Sequence, residues 1–64
     1  MNAKEIVKNR MPNANVEEHT TLSGVKNWYV VNGDECVPFA KGETEERAWS
    51  VAKEMLLDRE QAEG

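Results

Sequence analysis

One cysteine and one histidine, Cys36 and His19, are all that this chain of 64 residues offers toward covalent or metal cross-linking. A single thiol cannot close an internal disulfide, and the two residues fall short of the four Cys or His ligands that a structural zinc site normally takes. A chain of this size buries only about 60% of the surface that its unfolded form exposes, so its stability margin is thin. Very small folds often compensate with disulfides, a metal or self-association. With the first two removed, close packing or oligomerisation has to hold the fold. Apolar residues make up 39% of the chain and charged residues 31%, which is polar for a globular domain yet too rich in core formers for a disordered one. The expectation is one domain over residues 1–64, without cofactor or metal.

The net charge of −4 is unevenly spread. Residues 1–11 sum to +2 through Lys4, Lys8 and Arg10 against Glu5, whereas residues 12–42 sum to −2 and residues 43–64 to −4. An acidic chain repels phosphate backbones, which disfavours nucleic acid as a partner. No apolar run is long enough to span a bilayer. The opening MNAKEIVKNRM lacks the apolar stretch of a signal peptide, and with one free thiol this leads to the expectation of a reducing, cytoplasmic setting.

Local patterns divide the chain into five elements. Asn2 and Glu5 have capping-box spacing ahead of Ile6, Val7 and Met11, flanked by Ala3 and Arg10, and Pro12 ends the segment, so a helix is expected over about 3–11. Residues 14–20 alternate with period two, only Val16 being firmly apolar, as suits an edge strand blunted by charge. Leu22, Ser23 and Gly24 make a turn, and Val25–Val31 has the β-branched and aromatic content of a second strand at about 26–32. Asn32-Gly33 is a hairpin signal that leads into a third strand at about 35–40. A loop of two residues sets Trp28 opposite Val37, and one of four sets Val30 opposite Val37 and Trp28 opposite Phe39. Either register gathers Trp28, Val30, Val37 and Phe39 on one face and Tyr29, Val31, Cys36 and Pro38 on the other. Thr44 caps a final helix over about 44–60, with Glu45 and Glu46 in its first turn and Ala48, Trp49, Val51, Ala52, Met55 and Leu56 in one apolar stripe; the residues beyond are expected to fray. The fold class is therefore α+β: two layers in α-β-β-β-α order, a three-stranded antiparallel sheet packed by two helices.

Chemistry is sparse in this pattern. His19 and Glu17 share a strand face, but no serine or cysteine is placed to act with them. Cys36 stands beside Asp34 and Glu35, which raise rather than lower a thiol pKa. No catalytic constellation emerges, and the chain is expected not to be an enzyme. Two surfaces remain as partner-binding candidates. The first is the sheet face with Tyr29, Val31, Cys36 and Pro38, too apolar for an open face once both helices are committed to the opposite side. The second is an acidic helix edge of Glu43, Glu54 and Asp58 around Arg47. Leu57 falls on the polar side of the same helix, as single leucines often do.

The α-β-β-β-α order is similar to that of the double-stranded-RNA-binding domain, a family that grips phosphates with lysines at the start of its last helix. Here those positions read Glu43-Thr44-Glu45-Glu46-Arg47, so the resemblance implies the topology and not the RNA binding. Over nearly its whole length the chain also resembles small proteins encoded by phages and prophages, through Pro12-Asn13-Ala14, then Trp28-Tyr29-Val30-Val31, then Gly42-Glu43-Thr44-Glu45-Glu46-Arg47-Ala48-Trp49. That resemblance implies a non-enzymatic accessory module that binds a host protein. A homodimer through the sheet face and a nucleic-acid contact through Lys4, Lys8 and Arg10 are the alternatives.

Overall fold

A computed structural model describes residues 2–33 and 38–63. It contains helix α1 (Ala3–Arg10), strands β1 (Ala14–Thr20), β2 (Lys26–Asn32) and β3 (Ala40–Gly42), and helix α2 (Glu45–Glu63). The strands form one antiparallel sheet in the order β1-β2-β3. The α+β class and the α-β-β-β-α order expected above are both present.

The helix starts follow from their caps. The Asn2 side-chain oxygen accepts the Glu5 N–H at 2.9 Å, and Thr44 Oγ1 accepts the Arg47 N–H at 3.0 Å. Each supplies one acceptor to the backbone donors that a helix leaves unpaired at its start. At the end of α1 the Met11 N–H reaches Val7 O at 2.8 Å, and the Ala14 N–H turns back to Met11 O at 2.9 Å across Pro12. The chain therefore leaves α1 in a tight turn and enters β1 directly.

The β1–β2 hairpin pairs Thr20 with Lys26 and Ala14 with Asn32 at its two ends. Its turn has three residues, with Gly24 N–H donating to Thr21 O and Gly24 at φ +89°, a conformation that glycine adopts without steric cost. The connection from β2 to β3 departs from the expected tight turn. Gly33 has φ +62°, but Asn32 keeps a negative φ, so the two-residue type I′ turn does not form. Instead the Gly33 N–H donates to Asn13 O at 3.0 Å, tying the end of β2 to the turn after α1.

The third strand is Ala40–Gly42 rather than 35–40. Its pairs are Val30 with Ala40, Tyr29 with Lys41 and Trp28 with Gly42. Both registers drawn from the sequence are thus corrected. Pro38 and Phe39 precede the strand, and the expected positions of Glu35, Cys36 and Val37 lie outside the described residues. The slip places Ala40 and Gly42 on the core face where Val37 and Phe39 were expected.

The reason for that register is how closely α2 lies on the sheet. A Cβ on Gly42 would come 2.3 Å from the Ala48 backbone nitrogen and 2.8 Å from its Cα. Only glycine fits beneath this turn of the helix. Val7, Ala14, Val30, Ala40, Ala48, Trp49, Ala52 and Leu56 form the buried core, with Ala3, Met11, Val16, Trp28, Phe39 and Val51 packed against it. The core residues of the sheet all lie on one side, so both helices cover the same face. Met55, expected in the buried stripe, is 44% exposed; Trp49 and Leu56 turn the stripe toward α1 and leave Met55 at its margin.

An ion pair joins the far ends of the helices. Arg10 Nε contacts Glu60 Oε1, and Arg10 Nη2 lies 3.3 Å from Glu60 Oε2, a two-pronged contact between groups that are both exposed. The Arg10 guanidinium holds the Glu60 carboxyl below its ordinary value, first through the hydrogen bond. A carboxyl whose pKa is lowered by folding contributes stability that is fully present above its unfolded pKa and lost as pH falls through the folded one.

Two outcomes check this packing. Gly42→Ala is expected to destabilise by roughly 1–3 kcal/mol, the range for forcing atoms into a filled core, and to lower the urea midpoint; an unchanged midpoint would show that α2 does not rest on Gly42. Glu60→Gln is expected to remove part of the acid dependence of the midpoint below the ordinary carboxylate value of 4.5. The difference from wild type should shrink in high salt, because an exposed pair is screened.

Candidate protein-binding face

Strand alternation fixes what the uncovered side of the sheet displays. Ala14 and Val16 of β1, Trp28 and Val30 of β2, and Ala40 and Gly42 of β3 face the helices. The alternate positions Asn15, Glu17 and His19, then Asn27, Tyr29 and Val31, then Lys41, face the other way. Among the described residues, no helix covers this second face.

Tyr29 stands at its centre, paired with Glu17 on one side and Lys41 on the other. The His19 ring meets the Tyr29 ring edge to face, with centroids 5.2 Å apart and planes at 77°. His19 Nε2 is 3.4 Å from Glu17 Oε1, and both side chains are more than half exposed. The pair expected on one strand face is therefore present, and it is joined to Tyr29. This arrangement holds the tyrosine ring upright and flanks it with groups able to bond a partner's polar atoms. Tyr29 and Val31 are half-buried.

The hairpin carries this face outward. Residues 20–26 are all exposed, and the molecule measures 42 Å along its long axis against 22 and 21 Å across. Leu22 at the tip is fully exposed, and Val25 is 54% exposed. The tip is nonetheless held: Thr21 Oγ1 accepts the Val25 N–H at 3.1 Å and lies 2.9 Å from Ser23 Oγ, while the Thr21 N–H donates to Val25 O at 2.8 Å. Val25, just before β2, has the same parity as Tyr29 and Val31, so the three apolar residues share one row, with polar Asn27 between Val25 and Tyr29. At about 3.4 Å per residue that row is roughly 20 Å long. Sequence reasoning placed Leu22 in a turn and missed that the turn projects; the three-residue loop ending in Gly24 was the available signal.

Not every candidate joins the patch. Pro38 is exposed in the connection ahead of β3, outside the ladder, and Cys36 lies outside the described residues. On the acidic edge, Glu43, Glu54 and Asp58 are all exposed. Among the described residues none of the three makes an ion pair, and no group of three or more His, Cys, Asp or Glu is placed to hold a metal ion. Leu57, at 37% exposure, stands singly on the helix surface. No described helix is long and apolar enough to cross a membrane. Of the three cations on the N-terminal segment, Arg10 is engaged by Glu60, and Lys4 Nζ lies 6.0 Å from the centre of the Trp49 ring. Such an arrangement leaves only Lys8 of the expected basic surface without a described partner. No protein-family model matches this chain, and neither a curated protein nor a solved structure matches it.

Proposed function

We propose that this chain is a small non-enzymatic protein-binding module that engages its partner through the open sheet face, centred on Tyr29 and continued by Val31, Val25 and the Leu22 tip. The reading rests on one observation above all: both helices cover the same side of the sheet, and the opposite side still carries an apolar row. Folding alone gives no reason for that row, since an uncovered strand face is ordinarily polar. Aromatic centres with polar rims are the usual make-up of a protein contact. Tyr29 between Glu17, His19 and Lys41 has that make-up. The acidic chain and the engagement of Arg10 speak against nucleic acid as the partner. The biological setting we favour is that of an accessory protein by which a phage or prophage engages a host protein in the cytoplasm.

A tagged wild-type chain and its Tyr29→Glu and Val25→Ser variants separate the surfaces when each is used to titrate the protein that the wild type captures. Tyr29→Glu should weaken binding by at least about tenfold, the scale of a central aromatic contact. A double charge reversal at Glu54 and Asp58 should leave it within about twofold. The reverse pattern would move the site to the acidic edge and sink the sheet-face reading. Sedimentation over a concentration series addresses self-association: a dimer lost in Tyr29→Glu would identify the partner as a second copy of this chain.

A further inference from the structure

Across the middle of the open sheet face runs a rung of three residues, Glu17 on β1, Tyr29 on β2 and Lys41 on β3, each paired directly with the next. One end of the rung is acidic and the other basic, with the aromatic ring between them. Glu17 and Lys41 are both exposed, and among the described residues Lys41 has no ion-pair partner. Glu17 is met by His19 at 3.4 Å. Tyr29 belongs at the same time to a second line, along β2, in which Asn27 and Val31 are its neighbours on this face.

A face with opposite charges on its two flanks complements itself in one orientation and not in the other. Two copies packed sheet to sheet can be related by a two-fold axis that lies between them, through this rung, either along the strands or across them. An axis along β2 lays β1 of each copy over β3 of the other. Glu17 then meets Lys41 of the second copy, Tyr29 meets Tyr29, and Val31 meets Val31. Asn27 meets Asn27, whose amide both donates and accepts. An axis across the strands lays each strand over its own copy instead. Glu17 then faces Glu17, Lys41 faces Lys41, and Val31 is set against Asn27. The charges and the apolar row thus select the same axis.

Given the sheet-face reading, on which this step rests, we infer that a second copy of this chain occupies the open face while no other protein holds it. The two copies pack sheet to sheet about a two-fold axis along β2, with two reciprocal Glu17–Lys41 ion pairs flanking the Tyr29 rings. The contact is small, because the sheet is three strands wide and β3 has only three residues. Interfaces at the low end of the size range are weak and transient. A partner that fits the face more tightly therefore displaces the copy. Self-association shields Tyr29 and Val31 from water without closing the face to that partner.

Sedimentation equilibrium of the full chain from about 10 μM to about 1 mM tests this, with reductant present so that Cys36 cannot link two chains. The wild type is expected to pass from monomer to dimer within that range. Glu17→Lys and Lys41→Glu should each raise the dissociation constant at least about threefold, since each turns both ion pairs into like-charge contacts. Net charge alone would strengthen association in the first and weaken it in the second, because it moves the −4 of the chain in opposite directions. The double exchange, Glu17→Lys with Lys41→Glu, should return the constant to within about twofold of wild type, the signs being reversed but still opposite. An axis across the strands keeps like charges face to face in all four chains and predicts no such pattern. A wild type that stays monomeric at about 1 mM, single variants that associate as wild type does, or a double exchange as weak as the single ones overturns the inference. The sheet-face reading survives each of these outcomes, because the titration of the captured protein against Tyr29→Glu decides it separately.

Discussion

The contact on which this fold depends is the one between Gly42 and the first turns of α2. Ala48 backbone atoms occupy the space where any side chain at position 42 would project. The neighbours are small as well: Ala14 and Ala40 on the sheet, Ala48 and Ala52 on the helix. Small residues on both surfaces let helix and sheet approach until backbone meets backbone. The gain is dispersion contact and excluded water in a chain that has few large apolar side chains to spend. Among the described residues, only Val7 and Val30 of the larger side chains are completely sealed. This is how a chain that cannot close an internal disulfide obtains a core: through closeness rather than bulk.

That closeness fixes the rest of the architecture. Because α2 sits on β3 and β2, α1 must lie beside it, joined through Trp49, Lys4 and the Arg10–Glu60 pair. Both helices are then spent on one side of a sheet only three strands wide. The β1–β2 hairpin continues past them, unsupported by any helix, with its own turn bonded through Thr21. An elongated molecule with one dressed face and one bare face follows directly. The bare face has Tyr29 and Val31 on it because the alternation that buries Trp28 and Val30 leaves them no other side.

Much of this was legible in the sequence, and the exceptions have physical causes. Capping at Asn2 and Thr44, the stop at Pro12, and the first two strands were written in local chemistry, where one or two side chains decide the outcome. The sheet face of Tyr29 and Val31 followed from period two alone. The third strand did not. Asn32-Gly33 looked like a hairpin turn, yet Gly33 uses its backbone to reach Asn13, a residue twenty positions earlier. Registers are settled by what packs above them, and here a helix that begins after the strand selects Ala40 and Gly42 for the core face. Phe39 still packs against the core from outside the strand, and the Arg59 guanidinium lies 6.0 Å over its ring. The hydrophobic signal was correct while the strand assignment built on it was not.

The tight core also explains why two features, one on the surface and one buried, stand out. In a loosely packed fold an apolar row or an unpaired indole could be a by-product of slack. This chain uses alanine and glycine to bring its layers together, and every other described buried side-chain polar atom has a partner. A sequence under that constraint has little freedom to leave an indole N–H unserved or to line up Val25, Tyr29 and Val31 on a wet face. Each carries a cost that a serine, a threonine or a phenylalanine at the same position would avoid. The proposed contact is placed on such a feature, an apolar row that the fold does not need for its own stability.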